Sequence, residues 1–205
     1  MGFFESTLVP SRNDGVYVEV GANQPSQLSN TYRFYRQGYS GVLVEPDARC
    51  CALLRRYRPK DLVINALAGR VSGLGWLFLQ THTVLNSSLP DAAATAVARR
   101  LVPSINLDEL WRALTTRGRT APRFCFLLSL DTEGGEEEIL LGARELTRRS
   151  YFVCLEHHGC AERKEQFQAI LGAAFEVFWE TGINVLFKQR QEFSRFQEVG
   201  ADVAT

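Results

Sequence analysis

The stretch Gly15-Val16-Tyr17-Val18-Glu19-Val20-Gly21-Ala22-Asn23 is an apolar, β-branched run that ends in a glycine turn. Gly41-Val42-Leu43-Val44-Glu45-Pro46 repeats this pattern with an acidic end, and residues 29–37 between the two runs have the pattern of a helix. Together they predict a βαβ unit. In such a unit a ligand approaches the first turn closely, and an acidic residue ending the second strand accepts hydrogen bonds from ribose hydroxyls. Glu45 lies 24 residues after Gly21, close to the expected roughly 20, so we expect an adenosine-containing cofactor.

The first turn decides which cofactor fits. A dinucleotide fold has G-x-G-x-x-G, so that a pyrophosphate can bind at a helix N-terminus. Here Gly21 is followed by Ala22, Asn23, Gln24 and Pro25, which provide no cradle for two phosphates. S-adenosylmethionine has no phosphate and needs a close backbone approach, a carboxylate for its hydroxyls and an apolar adenine slot. The sequence therefore favours S-adenosylmethionine over a nicotinamide dinucleotide.

Strand and helix patterns alternate along the rest of the chain. Strands are predicted at 15–20, 41–45, 61–66, 74–79, 124–130, 151–156, 174–180 and 184–188. Helices are predicted at 29–37, 47–57, 106–117, 135–149 and 160–171. The alternation indicates an α/β fold with a mostly parallel sheet covered on both faces. The last two strands are separated by the turn signal Thr181-Gly182, which predicts an antiparallel terminal hairpin.

Several ordered motifs resemble FkbM-type methyltransferases. In the N-terminal half these are Val18–Asn23, Leu28–Thr31, Gly38–Gly41, Val44–Pro46 and Tyr57–Asp61, and further along Val102–Leu110 and the D-x-E-G-x-E-like block Leu130–Glu136. The resemblance spans about residues 15–190. It implies a Rossmann-like class I methyltransferase sheet, mostly parallel with an antiparallel terminal hairpin strand. It also implies S-adenosylmethionine as cofactor and a sugar, glycolipid or polyketide-like acceptor.

Composition limits the other classes of function. With 205 residues, 45% of them hydrophobic, the chain can bury one sizeable core. We therefore expect a lead-in at 1–14, a single methyltransferase domain at 15–190 and a tail at 191–205. Lysine plus arginine equals aspartate plus glutamate at 23 each, so no overall field favours nucleic acid. The basic cluster Arg55, Arg56, Arg58 and Lys60 is interpreted as the solvated face of a helix.

No apolar window is long enough to span a membrane, and no signal peptide pattern opens the chain. The five cysteines include no C-x-x-C pair, and Cys125 and Cys154 fall in apolar strand patterns, where thiols behave as small hydrophobes. These features indicate a reducing compartment, and we expect a cytoplasmic protein.

The cofactor-binding candidates follow the first three strands. Glu19, Gly21, Ala22 and Asn23 form the first turn, with Glu19 expected near the cationic amino-acid end of the cofactor. Glu45, followed by Pro46, is expected at the ribose, and the stretch Asn65-Ala66-Leu67 beside the adenine. Ser29 and Thr31 are expected to cap the first helix, where a contact to the methionine carboxylate is the alternative.

The catalytic candidates follow two later strands. Asp131 ends the predicted strand 124–130, where ligands bind in open α/β folds. It could hold the cofactor's ammonium or orient the acceptor. Together with Glu133 it could also ligate a divalent cation, but two carboxylates are few ligands for such an ion, so a metal is not favoured. His157 and His158 follow the strand at 151–156, and we expect one of them to act as a base for an acceptor hydroxyl. His82 is a weaker candidate.

Residues 81–104 have no clear strand period. Their pattern is interpreted either as a lid or recognition loop or as a surface helix from Asp91 to Leu101. The acceptor pocket must come from this segment, from the lead-in or from a second subunit, which makes a homodimer one of three options.

These observations predict an S-adenosylmethionine-dependent O-methyltransferase for a small-molecule, glycan-linked or lipid-linked acceptor. The alternatives are an N-methyltransferase and, because Pro25 stands where many family members have a second glycine, a cofactor-binding scaffold without turnover.

Overall fold

The computed structural model describes residues 15–81, 87–116 and 121–190. The predicted lead-in 1–14, the predicted tail 191–205 and His82 lie outside these residues. The strands are β1 (Gly15–Val20), β2 (Gly41–Val44), β3 (Leu62–Ile64), β4 (Leu67–Gly69), β5 (Gly73–Leu79), β6 (Ala98–Asn106), β7 (Phe124–Leu130), β8 (Ser150–Glu156), β9 (Phe175–Glu180) and β10 (Asn184–Gln189). The α-helices are α1 (Tyr32–Arg36), α2 (Ala48–Tyr57), α3 (Leu107–Thr115), α4 (Glu136–Gly142), α5 (Arg144–Arg148) and α6 (Ala161–Leu171).

A seven-stranded sheet in the order β3-β2-β1-β7-β8-β10-β9 forms the centre of the fold. The first five strands in this order pair in parallel, while β10 runs antiparallel to both β8 and β9. The predicted fold class, including the antiparallel terminal hairpin, is confirmed. The hairpin loop has three residues, Thr181 to Ile183, because β10 begins at Asn184.

Both faces of the central sheet are covered by apolar side chains, as expected for buried parallel strands. One cluster packs alternate residues of β1, β7 and β8, such as Val18 and Leu128, against helices α3 to α6, where Trp111 and Phe167 are buried. The other cluster, on the opposite face, is aromatic and contains Tyr17, Phe34 and Phe126. All residues of β7 and β8 are buried, which explains why these two strands appear in the sequence as continuous apolar runs.

Two predicted helices differ in the structure, and polar side chains account for the differences. The first predicted helix spans only Tyr32–Arg36, because the residues before it bind a buried carboxylate described below. The helix predicted at 135–149 breaks at Ala143 into α4 and α5. At the break, the Asp108 carboxylate accepts hydrogen bonds from the backbone N–H groups of Glu145 and Leu146, at 2.9 and 2.8 Å. This side chain satisfies donors that a continuous helix would pair internally.

A second, three-stranded sheet in the order β4-β6-β5 differs from the prediction. The strand predicted at 74–79 forms as β5, but it joins this small sheet and not the central one. The surface helix considered for Asp91 to Leu101 is wrong: a 3-10 helix at Pro90–Ala94 is followed by β6. β6 pairs with β5 over seven residues, so long-range pairing determines the conformation of a segment that has no clear strand period.

None of the helices in the described parts of the chain has the length and apolar character needed to cross a bilayer. All five cysteines lie within the described ranges, and none of them forms a disulfide.

Candidate functional site

A cavity of about 300 Å³ opens at the carboxyl ends of β1, β2, β7 and β8. Ligands bind at this edge in open α/β sheets. The loop after β1 contributes Gly21, Ala22 and Asn23 to its wall, β2 leads into Glu45 and Pro46, and β7 leads into Asp131. The cavity therefore brings together residues that the sequence analysis assigned to the first turn, the ribose and the acceptor.

Gly21 is required by the fold itself. Its φ is +77°, and a Cβ atom built on it would lie 1.7 Å from the carbonyl oxygen of Asp131. Its N–H donates to the carbonyl oxygen of Val44 at 2.9 Å. The sequence predicted a ligand close to this glycine, but the close neighbour in the structure is the backbone that follows β7.

Glu45 is buried at the cavity wall, directly after β2. Its Oε2 accepts a hydrogen bond from the Asn23 N–H at 2.9 Å, and its Oε1 accepts one from the Asp47 N–H at 2.7 Å. Burial raises the pKa of this carboxyl to about 7, against the two N–H groups that favour its charged form. Each carboxylate oxygen has further lone pairs, so Glu45 retains acceptor capacity toward the cavity.

Pro46 lines the cavity, whereas Asn65 and Ala66 support it from behind. The Asn65 Nδ2 donates to the carbonyl oxygens of Glu45 and Pro46, at 3.0 and 2.9 Å, and thereby holds the end of β2 in place. Ala66 is buried. Leu67, the third residue of the predicted stretch, does line the cavity, where Ala68 and Leu77 add to the apolar wall.

Glu19 lies beneath the cavity, in the protein interior, and not among the residues that line it. Its carboxylate accepts hydrogen bonds from the Ser29 hydroxyl at 3.0 Å, the Asn30 N–H at 2.9 Å and the Thr31 hydroxyl at 2.5 Å. Glu19 therefore anchors the loop between β1 and α1, where the sequence analysis expected a contact to the cofactor.

Ser29 and Thr31 belong to the same network. The Ser29 hydroxyl accepts a hydrogen bond from the Tyr32 N–H at 3.1 Å, which is the helix-capping role that the sequence analysis favoured. Thr31 occupies the N-cap position, but its side chain makes no capping hydrogen bond. Thr31 is fully buried, and neither residue lines the cavity.

Arg58 differs from its prediction, which placed it on a solvated basic face. Its side chain is fully buried, and it forms ion pairs with Glu19 at 3.2 Å and Asp61 at 2.7 Å. Its Nη2 also donates to the hydroxyl of Tyr17 at 3.1 Å and to that of Thr31 at 2.7 Å. The interpretation of the basic cluster as a solvated face is therefore wrong for Arg58. The buried acidic partners could not be identified from a run of basic residues.

Asp131, Glu133 and Glu156 form an acidic wall on the other side of the cavity. Asp131 is hydrogen-bonded to Glu156, and burial together with this neighbouring carboxylate raises the pKa of Glu156 to about 8. Burial also raises the pKa of Asp131 and of Glu133. Glu156 ends β8, and the sequence analysis missed it because it stands inside an apolar strand pattern, with only its terminal position as a signal.

The two adjacent histidines have different surroundings. His157 is buried, and its Nε2 lies 3.0 Å from the carbonyl oxygen of Thr181, in the hairpin loop. His158 is 49% exposed, and its Nε2 lies 3.3 Å from Glu156 Oε2. Neither imidazole lines the cavity itself, but His158 contacts a carboxylate that does. Only His158 is thus near the acidic wall, whereas His157 stabilises the hairpin.

The irregular segment predicted as a lid or recognition loop contributes Ser87 and Ser88 to the cavity wall. The Ser87 hydroxyl donates to the carbonyl oxygen of Glu133 at 3.2 Å. Leu89 occupies the space beside Gly134, where a Cβ atom would lie 2.4 Å from its Cδ1. This segment therefore packs against the loop that carries Asp131.

Comparison with known proteins adds to this description. A family model described as the methyltransferase FkbM domain matches residues 19–177. No curated protein sequence matches the chain.

Two solved structures, both human, are similar at low sequence identity. The human methyltransferase 10 domain containing protein is 12% identical with a TM-score of 0.45, and the match covers 92% of this chain and 74% of that one. The N-terminal domain of human METTL16, in complex with SAH, is 10% identical with a TM-score of 0.43, and the match covers 87% and 62% respectively.

Proposed function

The chain belongs to the FkbM methyltransferase family, and we propose that it is an S-adenosylmethionine-dependent O-methyltransferase. The proposed acceptor is a hydroxyl group of a sugar, a glycolipid or a polyketide-like small molecule. The proposed catalytic domain spans residues 15–190.

The observation that most supports this proposal is the position of Glu45, buried at the cavity wall and next to the glycine turn of β1. Its two oxygens are held by backbone N–H groups of Asn23 and Asp47. They are oriented in advance and still have lone pairs for two adjacent hydroxyls. Ala22, Leu67 and Leu77 supply the apolar surface that an adenine ring needs. The residues present therefore fit a nucleoside cofactor without phosphates.

When bound, S-adenosylmethionine supplies an electrophilic methyl group on its sulfonium. The protein then has to orient the acceptor and accept its proton. Asp131, at the cavity wall and hydrogen-bonded to Glu156, is the proposed group for both tasks. The two carboxyls lie close together, and burial with the neighbouring charge raises the pKa of Glu156 to about 8. The pair is therefore able to take up one proton near neutral pH. His158 is proposed to assist through Glu156.

The calorimetric test uses the demethylated cofactor, S-adenosylhomocysteine, with NAD as the negative ligand. We expect S-adenosylhomocysteine to bind and NAD not to bind. Glu45→Ala should weaken binding at least tenfold, because a hydrogen bond to a charged group contributes about 1.5–3 kcal/mol. Glu176→Ala is the matched control, because this glutamate lies on β9 at the far edge of the sheet. Preferential binding of NAD, or unchanged affinity in Glu45→Ala, would contradict the proposal.

An N-methyltransferase is the second candidate, and the acidic wall favours it, because Asp131, Glu133 and Glu156 would attract a protonated amine. One of these carboxylates would then accept the proton, which leaves the neutral amine as the nucleophile. The two candidates differ in their acceptors: a panel of sugar alcohols and primary amines, assayed by release of S-adenosylhomocysteine, separates them. The scaffold without turnover, for which Pro25 is the motive, is the third candidate, and binding of S-adenosylhomocysteine without turnover on any acceptor of the panel would favour it. Pro25 itself is not among the described residues that line the cavity. Gln24, on its N-terminal side, lines the cavity instead.

A further inference from the structure

We propose that Glu133, Glu156 and His158 form a binding site for a divalent first-row transition metal ion in the acidic wall of the cavity. The pair considered from the sequence was Asp131 with Glu133. The structure replaces Asp131 as a ligand with two residues from the end of β8. Binding of the ion does not depend on the proposed methyl transfer, whereas its effect on an acceptor would.

The three side chains converge from two loops. His158 Nε2 lies 3.3 Å from Glu156 Oε2 and 4.0 Å from Glu133 Oε2. The ligand atoms of all three residues lie within 4.8 Å of one another. A shared ion with bonds of about 2.0–2.2 Å to nitrogen and oxygen requires ligand atoms at most slightly over 4 Å apart. Small side-chain rotations of Glu133 and His158, which are partly exposed, meet this requirement.

Glu156 supplies an independent reason for a bound ligand. Its side chain is 7% exposed, and its Oε2 has no hydrogen-bond donor among the described residues. The imidazole nitrogen Nε2 of His158 lies 3.3 Å from this oxygen. A carboxylate oxygen and an imidazole nitrogen at this distance are two ligand atoms that one divalent cation can bind together. Buried polar atoms without partners are uncommon in native proteins.

The surrounding charges point to the same conclusion. Asp131 and Glu136 add negative charge around the three ligands. The nearby cation Arg163 is committed to Glu136, with its Nη2 2.6 Å from the carboxylate, so it does not neutralise Glu156. This crowding of carboxyls is one cause of the raised pKa of Glu156, about 8. A divalent ion would reverse the effect and hold Glu156 ionised.

The donor set limits the choice of metal. Two carboxylates and one imidazole suit manganese, iron, cobalt or zinc better than magnesium or calcium, which favour oxygen ligands alone. His158 is 49% exposed and Glu133 26%, so the site is open to solvent on one side. An ion there has room for water or an acceptor oxygen next to Asp131. If the proposed O-methylation is correct, the ion would lower the pKa of the acceptor hydroxyl.

The test titrates the full chain with Mn²⁺ by calorimetry and with Co²⁺ by visible absorption, without cofactor. We expect binding at one site, weakened at least tenfold in both Glu156→Gln and His158→Gly. Glycine is chosen because His158 has a φ of +50°, which glycine adopts without strain. Glu138→Gln is the control, because Glu138 is an exposed glutamate on α4. The metal affinity of the Glu138→Gln variant should equal that of the unmodified protein.

Affinity should also fall as the pH is lowered, because protons compete with the metal for the carboxylate oxygens of Glu156 and Glu133. Failure of the unmodified protein to bind either ion, or equal binding by all three variants, would overturn the inference. The same samples are titrated with S-adenosylhomocysteine. If the unmodified protein binds S-adenosylhomocysteine but neither metal ion, the metal site alone is refuted, whereas absence of S-adenosylhomocysteine binding refutes the proposed function.

Discussion

Replacing Arg58 with alanine should destabilise the protein by about 3–5 kcal/mol, the usual effect of removing one partner from a buried ion pair. The guanidinium is fully buried and lies 3.2 Å from Glu19 and 2.7 Å from Asp61. Both carboxylates are themselves almost completely buried. Without Arg58 they would remain in the interior with no cation. Because domains of this kind unfold with a free energy of about 5–15 kcal/mol, the loss is a large fraction of the total.

Urea unfolding followed by circular dichroism measures this change, since the midpoint and slope together yield the free energy of unfolding. Arg56→Ala is the matched control: Arg56 is exposed on α2, two residues earlier, and should change stability by no more than about 0.5 kcal/mol. Arg58→Lys should fall in between, because lysine keeps the charge but lacks the planar fork that reaches several acceptors. A loss below about 1 kcal/mol for Arg58→Ala, with an unchanged slope, would refute the assignment of a structural network.

Three further predictions concern other parts of the site. Gly21→Ala should destabilise the protein by more than about 2 kcal/mol, because its Cβ would lie 1.7 Å from a backbone oxygen. Gly172→Ala should cost only about 1–2 kcal/mol, since Gly172 has a φ of +70° but no atom within 4 Å of the added carbon; equal losses in thermal unfolding would contradict the steric argument. The melting temperature should fall as the pH rises from about 5 to 8, because Glu45 and Glu156, with pKa values of about 7 and 8 against an ordinary 4.5, bind more protons in the folded state. Glu156→Gln should reduce this slope, and an unchanged slope would show that its carboxyl is not responsible. His157→Ala should lower stability by about 1–2 kcal/mol through loss of the contact to the hairpin loop at 3.0 Å, while the folded protein binds S-adenosylhomocysteine normally; weakened binding would place this imidazole at the cofactor.

The central sheet was predictable because its strands carry their own signals. β7 and β8 are continuous apolar runs, which fully buried parallel strands require. The carboxyl ends of parallel strands lie at one edge of a sheet. Glu45, which follows β2, and Asp131, which follows β7, could therefore be assigned to a common site. An apolar run of this kind is absent from β6, so this strand was not predicted. This strand is largely exposed and is stabilised by pairing with β5, whose residues lie about 25 positions away in sequence.

Glu156 shows why the acidic wall was only partly predictable. It is the last residue of a buried strand, and its role depends on the approach of Asp131 from β7 and of His158 from the following loop. Side-chain proximity between two neighbouring strands depends on their register, here Leu130 opposite Leu155. A single sequence does not contain that register explicitly.

Local patterns in the amino-acid sequence were enough to predict the alternation of strands and helices, the sheet edge at which the cavity opens, and the family to which the chain belongs. These properties depend on periodicity and on short contiguous motifs, which local backbone preferences translate directly into structure. The packed fold was needed to tell which charged residues face the cavity and which lie in the interior. Glu19 and Arg58 come together across 39 positions of sequence and pair in the interior, whereas Glu45 and Asp131 line the cavity. These positions depend on the packing of the whole chain, because strands and loops that are distant in sequence meet there.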